Sequence, residues 1–153
     1  MTRIVVLDSG PLGLLALPPQ HPSALPCQVW FGRLVENDAL FVVPEIADYE
    51  LRRELLRLGT ARSVRQLDLL LNNPNVDYLP ITTRAMRLAA HLWAETRRAG
   101  CPTADRHALD ADVILAAQTR LLIDDGHDAI VATTNLRHLT RLVPAAEWAT
   151  ITV

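Results

Sequence analysis

Residues 3–9 read Arg3-Ile4-Val5-Val6-Leu7-Asp8-Ser9, a short β-branched apolar run that stops on an acid. No polar residue interrupts Ile4 to Leu7, so the segment reads as a buried strand. Strands buried on both faces belong to parallel sheets with helices on either side. The working residues of such sheets lie just beyond the carboxyl ends of the strands. Asp8 stands at that place.

Working outward, residues 9–22 form a proline-marked connection, and a helix is expected over 23–36 with Trp30, Phe31 and Leu34 on its inner face. Asn37-Asp38 breaks it. Ala39 to Val43 is a second strand, closed by Pro44. Glu45 to Leu58 follows as a helix, with Pro44 at its start, acids in its first turn and Gly59 at its end. Thr60 can cap a further helix over 61–72, and Asn72-Asn73-Pro74-Asn75 is a turn cluster. Val76 to Ile81 is a third strand, marked as an edge by Pro80. Thr82 or Thr83 caps the clearest helix, in which Ala85, Leu88, Ala89, Leu92, Trp93 and Thr96 recur at helical spacing. Arg97 and Arg98 suit its negative end, and Gly100 closes it.

Asp110 to Ile123 is apolar enough to be a buried helix, and Asp124-Asp125-Gly126 stops it. Ala129 to Thr133 is a strand, Leu136 to Leu142 a short helix and Trp148 to Val153 a final strand. Strands that alternate with helices in this way specify an α/β fold around a parallel sheet.

Half of the 153 residues are hydrophobic and 21% are charged, which excludes intrinsic disorder and suits one core. A single domain over residues 1–153 is expected. No apolar run approaches the roughly 18 residues of a membrane span, and Asp8 falls too early for a secretory signal; a soluble cytoplasmic protein is expected. A net charge of -2 excludes holding nucleic acid by bulk charge alone. All fifteen basic residues are arginine. Arginine forks suit phosphate oxygens, although codon usage in a GC-rich genome produces the same count. Cys27 and Cys101 lie far apart and outside any CxxC motif. They read as small, partly buried apolar residues rather than a zinc site or a disulfide.

The acids carry the functional signal. Thr133-Thr134-Asn135 follows a strand as Asp8 does, so both should open onto one edge of the sheet. Glu50 shares a helical stripe with Arg53, Glu54 and Arg57, bordering the face made by Ala47, Leu51, Leu55 and Leu58. Taken alone, that stripe is a solvated one held by ion pairs such as Glu50–Arg53. Asp112 opens the apolar run Asp112-Val113-Ile114-Leu115-Ala116-Ala117, with Asp110 and Asp105 nearby. One helix cap does not need three acids, and clustered carboxylates repel unless a cation lies between them. Oxygen ligands without His or Cys partners suit Mg2+ or Mn2+. His107 precedes the cluster and is a weaker candidate for substrate contact. Gly10-Pro11-Leu12-Gly13 is no phosphate loop, and neither GxSxG nor HxxxH occurs.

The order of these motifs resembles the PIN-domain ribonucleases, in particular the VapC-type toxins of toxin–antitoxin pairs. The family's opening strand ends in Asp followed by Ser or Thr, matched by Asp8 and Ser9. Its second acid is a Glu before an apolar residue and basic residues, matched by Tyr49-Glu50-Leu51-Arg52-Arg53. Its third is an Asp that opens an alanine-rich helix, matched by Asp112. Its fourth motif, a strand ending in Thr, a residue, then Asp or Asn, is matched by Thr133 and Asn135. The likeness spans residues 3–143.

It implies a PIN-like three-layer α/β/α fold with a central parallel sheet of four to five strands. It also implies a divalent cation, Mg2+ or Mn2+, and metal-dependent hydrolysis of RNA that leaves 5′-phosphate and 3′-hydroxyl ends. Asp8, Glu50 and Asp112 would be the catalytic, metal-binding acids, with Asp110 as a possible fourth. Ser9, Thr133 and Asn135 would orient carboxylates or water. Arg53 would contact phosphate or pair with Glu50. Asn135 in place of the commoner acid implies one firmly held ion and a second held loosely. Expected partners are RNA, a cognate antitoxin and a second copy of the chain. The alternative is a non-catalytic PIN-like nucleic-acid-binding or regulatory protein.

Overall fold

The computed structural model describes residues 2–100 and 106–153, with the side chains of 106 and 107 left aside. Cys101, Asp105 and the side chain of His107 lie outside the described residues. The first strand, β1 (Arg3–Leu7), pairs in parallel with β2 (Leu40–Pro44) on one side and β4 (Asp128–Thr133) on the other. β3 (Val76–Leu79) and β5 (Ala145–Glu147) complete a parallel sheet in the order β3-β2-β1-β4-β5. The register sets Val6 against Val131 and Leu7 against Ala132, so β1 and β4 end level with one another.

Among the described residues seven helices cover the sheet: α1 (Ser9–Leu15), α2 (Leu25–Glu36), α3 (Glu45–Leu58), α4 (Ala61–Leu71), α5 (Thr83–Arg98), α6 (Arg106–Asp124) and α7 (Leu136–Leu139). The period-2 geometry of β1 sends Ile4 and Val6 to one face and Val5 and Leu7 to the other. Ile4 and Val6 join Leu92, Leu109, Ala116 and Leu139 under α5, α6 and α7. Val5 and Leu7 join Leu12, Trp30, Leu34, Phe41 and Leu67 under α1, α2 and α4. Each fully buried Leu or Phe contributes about 1.5–3 kcal/mol. The three-layer arrangement and the parallel sheet agree with the reading of the sequence.

Four elements differ from that reading. The proline-marked connection contains α1, which Asp8 caps by accepting the Ser9 N–H. Pro11 is tolerated there because a residue in the first turn has no intrahelical acceptor for its N–H. Helix α6 begins at Arg106, so Asp110 and Asp112 lie inside it rather than in its first turn. Helix α7 ends at Leu139.

The last strand is Ala145–Glu147, and Trp148–Thr150 is a 3-10 turn. Packing overrides the β-like composition there. Trp148 meets Trp30 edge-on at 5.4 Å, and the Trp30 indole N–H donates to the Ile151 carbonyl at 3.1 Å, which pulls the chain off the sheet.

Other boundaries hold to within two residues: α2 starts at Leu25 rather than 23, and β3 ends at Leu79 rather than Ile81. Gly59 caps α3 in the left-handed region at φ 71°, where a side chain would be strained. Thr82 caps α5 by accepting the Ala85 N–H. Thr60 makes no such cap; its hydroxyl donates instead to the Leu55 carbonyl. Cys27 is buried, and burial pushes its thiol up to about 12, so it is a packing residue. Among the described residues no helix is long and apolar enough to cross a membrane.

Candidate active site

Three acids reach one cleft from three elements. Asp8 directly follows β1, and its backbone N–H is tied to the Ala132 carbonyl at 3.0 Å, so its position follows from the sheet itself. One carboxylate oxygen accepts the Ser9 N–H at 2.8 Å, and the other accepts the Thr133 hydroxyl at 2.8 Å. Thr133, fully buried at the end of β4, accepts the Asn135 N–H at 2.9 Å. The chain from Asn135 through Thr133 to Asp8 therefore locks the carboxylate to the loop after β4.

Glu50 sits on α3. Its neighbours Ala47 and Leu51 pack toward α1 and the sheet, and this turns Glu50 to the cleft. The other acids of that helix have structural uses. Glu45 accepts the Ile81 N–H, and Asp48 accepts the Tyr78 hydroxyl while Arg52 bridges it to Asp68. Glu54 pairs with Arg57. Among the described residues Glu50 has no such pair: the expected Glu50–Arg53 salt bridge is not formed. Arg53 is exposed, lies outside the cleft lining, and holds its guanidinium carbon 5.1 Å over the Tyr49 ring.

Asp112 projects from α6 between buried Ala111 and Val113. Asp110 is exposed and does not line the cleft. Residues two positions apart on a helix, as Asp110 and Asp112 are, lie about 200° apart around its axis, so both cannot face one side. The fourth carboxylate suggested by the sequence is therefore not brought to the site.

The cleft holds about 240 Å³. Burial raises the pKa of Asp8, against the opposing pull of the Thr133 and Ser9 hydrogen bonds. Burial and then the charge of Asp8 raise that of Glu50, with Arg53 opposing. Burial, Asp8 and Glu50 together push Asp112 up to about 7. The acids thus share one field and repel one another. Among the described residues no three His, Cys, Asp or Glu side chains stand close enough to hold a metal ion as they are.

Ser9, Asn135, Gly10, Thr134 and His138 also line this cleft. The Asn135 side chain makes no capping bond to α7 and stays exposed at the rim. Two contributors, Gly10 and His138, are missing from the reading of the sequence. Gly10 permits close approach, since a Cβ there would lie 2.2 Å from Thr134 Oγ1. Thr134 supplies that contact. His138 is brought in by a helix too short to leave a periodic pattern.

No protein-family model matches the chain, and no curated protein matches it in sequence. Solved structures do match. VapBC2 from Rickettsia felis bound to a DNA fragment from their promoter superposes with a TM-score of 0.69 at 15% identity, over 95% of this chain and 98% of that one. FitAcB from Neisseria gonorrhoeae gives 0.66 at 20% identity, over 96% and 99%. VapBC-1 from nontypeable Haemophilus influenzae gives 0.67 at 18% identity, over 96% and 99%.

The chain has a PIN-like fold. The match runs over nearly the whole length of both partners, so the sheet that carries Asp8 and Thr133 and the helices that carry Glu50 and Asp112 all lie within the shared PIN-like architecture.

Proposed function

We propose that the chain is a Mg2+- or Mn2+-dependent endoribonuclease, the toxin of a toxin–antitoxin pair. The observation that carries this reading is the convergence of Asp8, Glu50 and Asp112 on one cleft, where the charge of Asp8 raises the pKa of Glu50 and the charges of Asp8 and Glu50 raise that of Asp112. All-oxygen donors suit a hard divalent cation. The repulsion between the acids is what such a cation would relieve, so the residues fit it. Asp8, Glu50 and Asp112 are the residues that would hold the ion. When bound it would supply an activated water and neutralise charge on the scissile phosphate.

The chain's own groups hold the geometry. Ser9 and Thr133 fix both oxygens of Asp8, and the Asn135 N–H fixes the Thr133 hydroxyl. Asn135 offers a neutral oxygen at the rim. The neighbouring structures support a partner protein in the antitoxin role; a second copy of this chain and a cytoplasmic setting belong to the same proposal.

Purified protein incubated with mixed RNAs and Mn2+ should cleave them, and EDTA should stop the cleavage. Cleavage that survives full chelation would overturn the metal-dependent reading. A PIN-like protein that binds nucleic acid without cutting it is the second reading, favoured by the spacing of the acids and by Asn135 in place of an acid. Absence of cleavage on every RNA would select it.

A further inference from the structure

The acid cleft does not end at its acids. Leu109 and His138 line it and also line an adjoining cavity of about 230 Å³ that contains Arg120 and Arg141. Those two arginines continue into a third, open depression of about 580 Å³ beside β5. The three hollows are therefore one path, and its basic groups lie on the side away from the acids.

Among the described residues neither Arg120 nor Arg141 forms a salt bridge, and both are exposed. Two acids, Glu95 in the second hollow and Asp124 in the third, also line the path and narrow where an anion can sit. Arg120 lies eight residues after Asp112 on α6, about 12 Å along the helix at 1.5 Å per residue. It is thus too far to touch a phosphate held at the acids and is placed for a neighbouring one.

We propose that His138, Arg141 and Arg120 form a track for the RNA backbone leading away from the acid cleft, with His138 at the junction and the two arginines on flanking phosphates. The track deepens the ribonuclease reading by assigning the substrate class: a single strand of several nucleotides rather than a mononucleotide. Arginine forks match phosphate oxygens and keep their charge at any working pH. With a net charge of -2, RNA must be held by local basic groups such as these rather than by bulk charge.

The test is RNA binding in EDTA, read by fluorescence anisotropy on a labelled twelve-nucleotide single strand across a salt series. The double variant Arg120→Gln/Arg141→Gln should bind about tenfold more weakly. Its log-affinity slope against log salt should fall by about 1.4, or 0.7 per lost phosphate contact. The control Arg62→Gln/Arg65→Gln removes two exposed arginines from α4 on the opposite face of the sheet and should bind like the parent. Equal binding by the track variant and the parent, or an equal loss in the control, overturns the track. A partner protein bound there in place of RNA would show as unchanged RNA affinity.

Hydrolysis separates the two proposals. A parent that cleaves RNA while its affinity ignores Arg120 and Arg141 keeps the nuclease and loses the track. A parent that binds through them yet never cleaves keeps the track and loses the nuclease.

Discussion

At the scale of single residues, Thr133 is the hinge of the site. It is buried, donates to Asp8 and accepts from Asn135, so Thr133→Val keeps the shape and breaks both bonds. The variant should lose about 1–3 kcal/mol of stability in urea unfolding, because the Asn135 N–H and an Asp8 oxygen lose partners. Metal-dependent cleavage should fall about 10–100-fold.

Asp112 should behave in the opposite way. Its folded pKa, about 7, stands above the ordinary 3.8. The folded protein therefore binds more protons than the unfolded chain between those values, and stability falls as pH rises through that window. Metal-free protein should melt at a higher temperature near about pH 5.5 than near about pH 8. Asp112→Asn should shrink the difference and raise the melting temperature at the higher pH. It should also cost on the order of 100-fold or more in cleavage. A melting temperature that climbs with pH would contradict the shared field. Asp8, Asp112, Thr133 and Asn135 are legible in the sequence because each sits by a strand end or in an apolar helix, whereas Glu50 enters only through the family resemblance. Asp110 reads as equally good until helical geometry turns it away. Glu50 reads as a surface residue from its stripe alone, because periodicity places a residue on a border without saying what faces the border.

At the scale of elements, α1 passes close to the loop after β4 at Gly10. A Gly10→Ala methyl would meet Thr134 Oγ1 at 2.2 Å and must push α1 away from that loop. The variant should lose about 1–3 kcal/mol, as overpacked positions do. Thr134→Ala removes the obstructing atoms and should return most of that loss in the double variant. Denaturant unfolding of the four proteins gives the coupling directly, and additive effects would mean that the helix and loop do not press on each other. Helix α1 is also the element least visible in the sequence. Gly10, Pro11 and Gly13 are breakers by composition, and what makes them helical is the Asp8 cap and the burial of Leu12 and Leu15. The C-terminal stretch fails for a related reason: its β-like residues are captured by Trp30 through packing and a hydrogen bond that act at long range. Helices α3 and α5, by contrast, carry both their caps and their periodicity within their own residues, and their bounds are readable without the fold.

At the scale of the whole molecule, the parallel sheet makes the site. β1 and β4 end level, so Asp8 and Thr133 meet, while α3 and α6 bring Glu50 and Asp112 from either side. The central claim is that these acids act together on one cation, and a calorimetric titration of Mn2+ into the metal-free protein tests it most directly. A proton held by Asp112 must leave when a cation enters. Repeating the titration in buffers of different ionisation enthalpy should show about one proton released near pH 6, declining as pH rises past about 7. Asp8→Asn, Glu50→Gln and Asp112→Asn should each weaken binding at least about tenfold. Mn2+ that binds the three variants as tightly as the parent, or that binds the parent without releasing a proton near pH 6, would contradict the account.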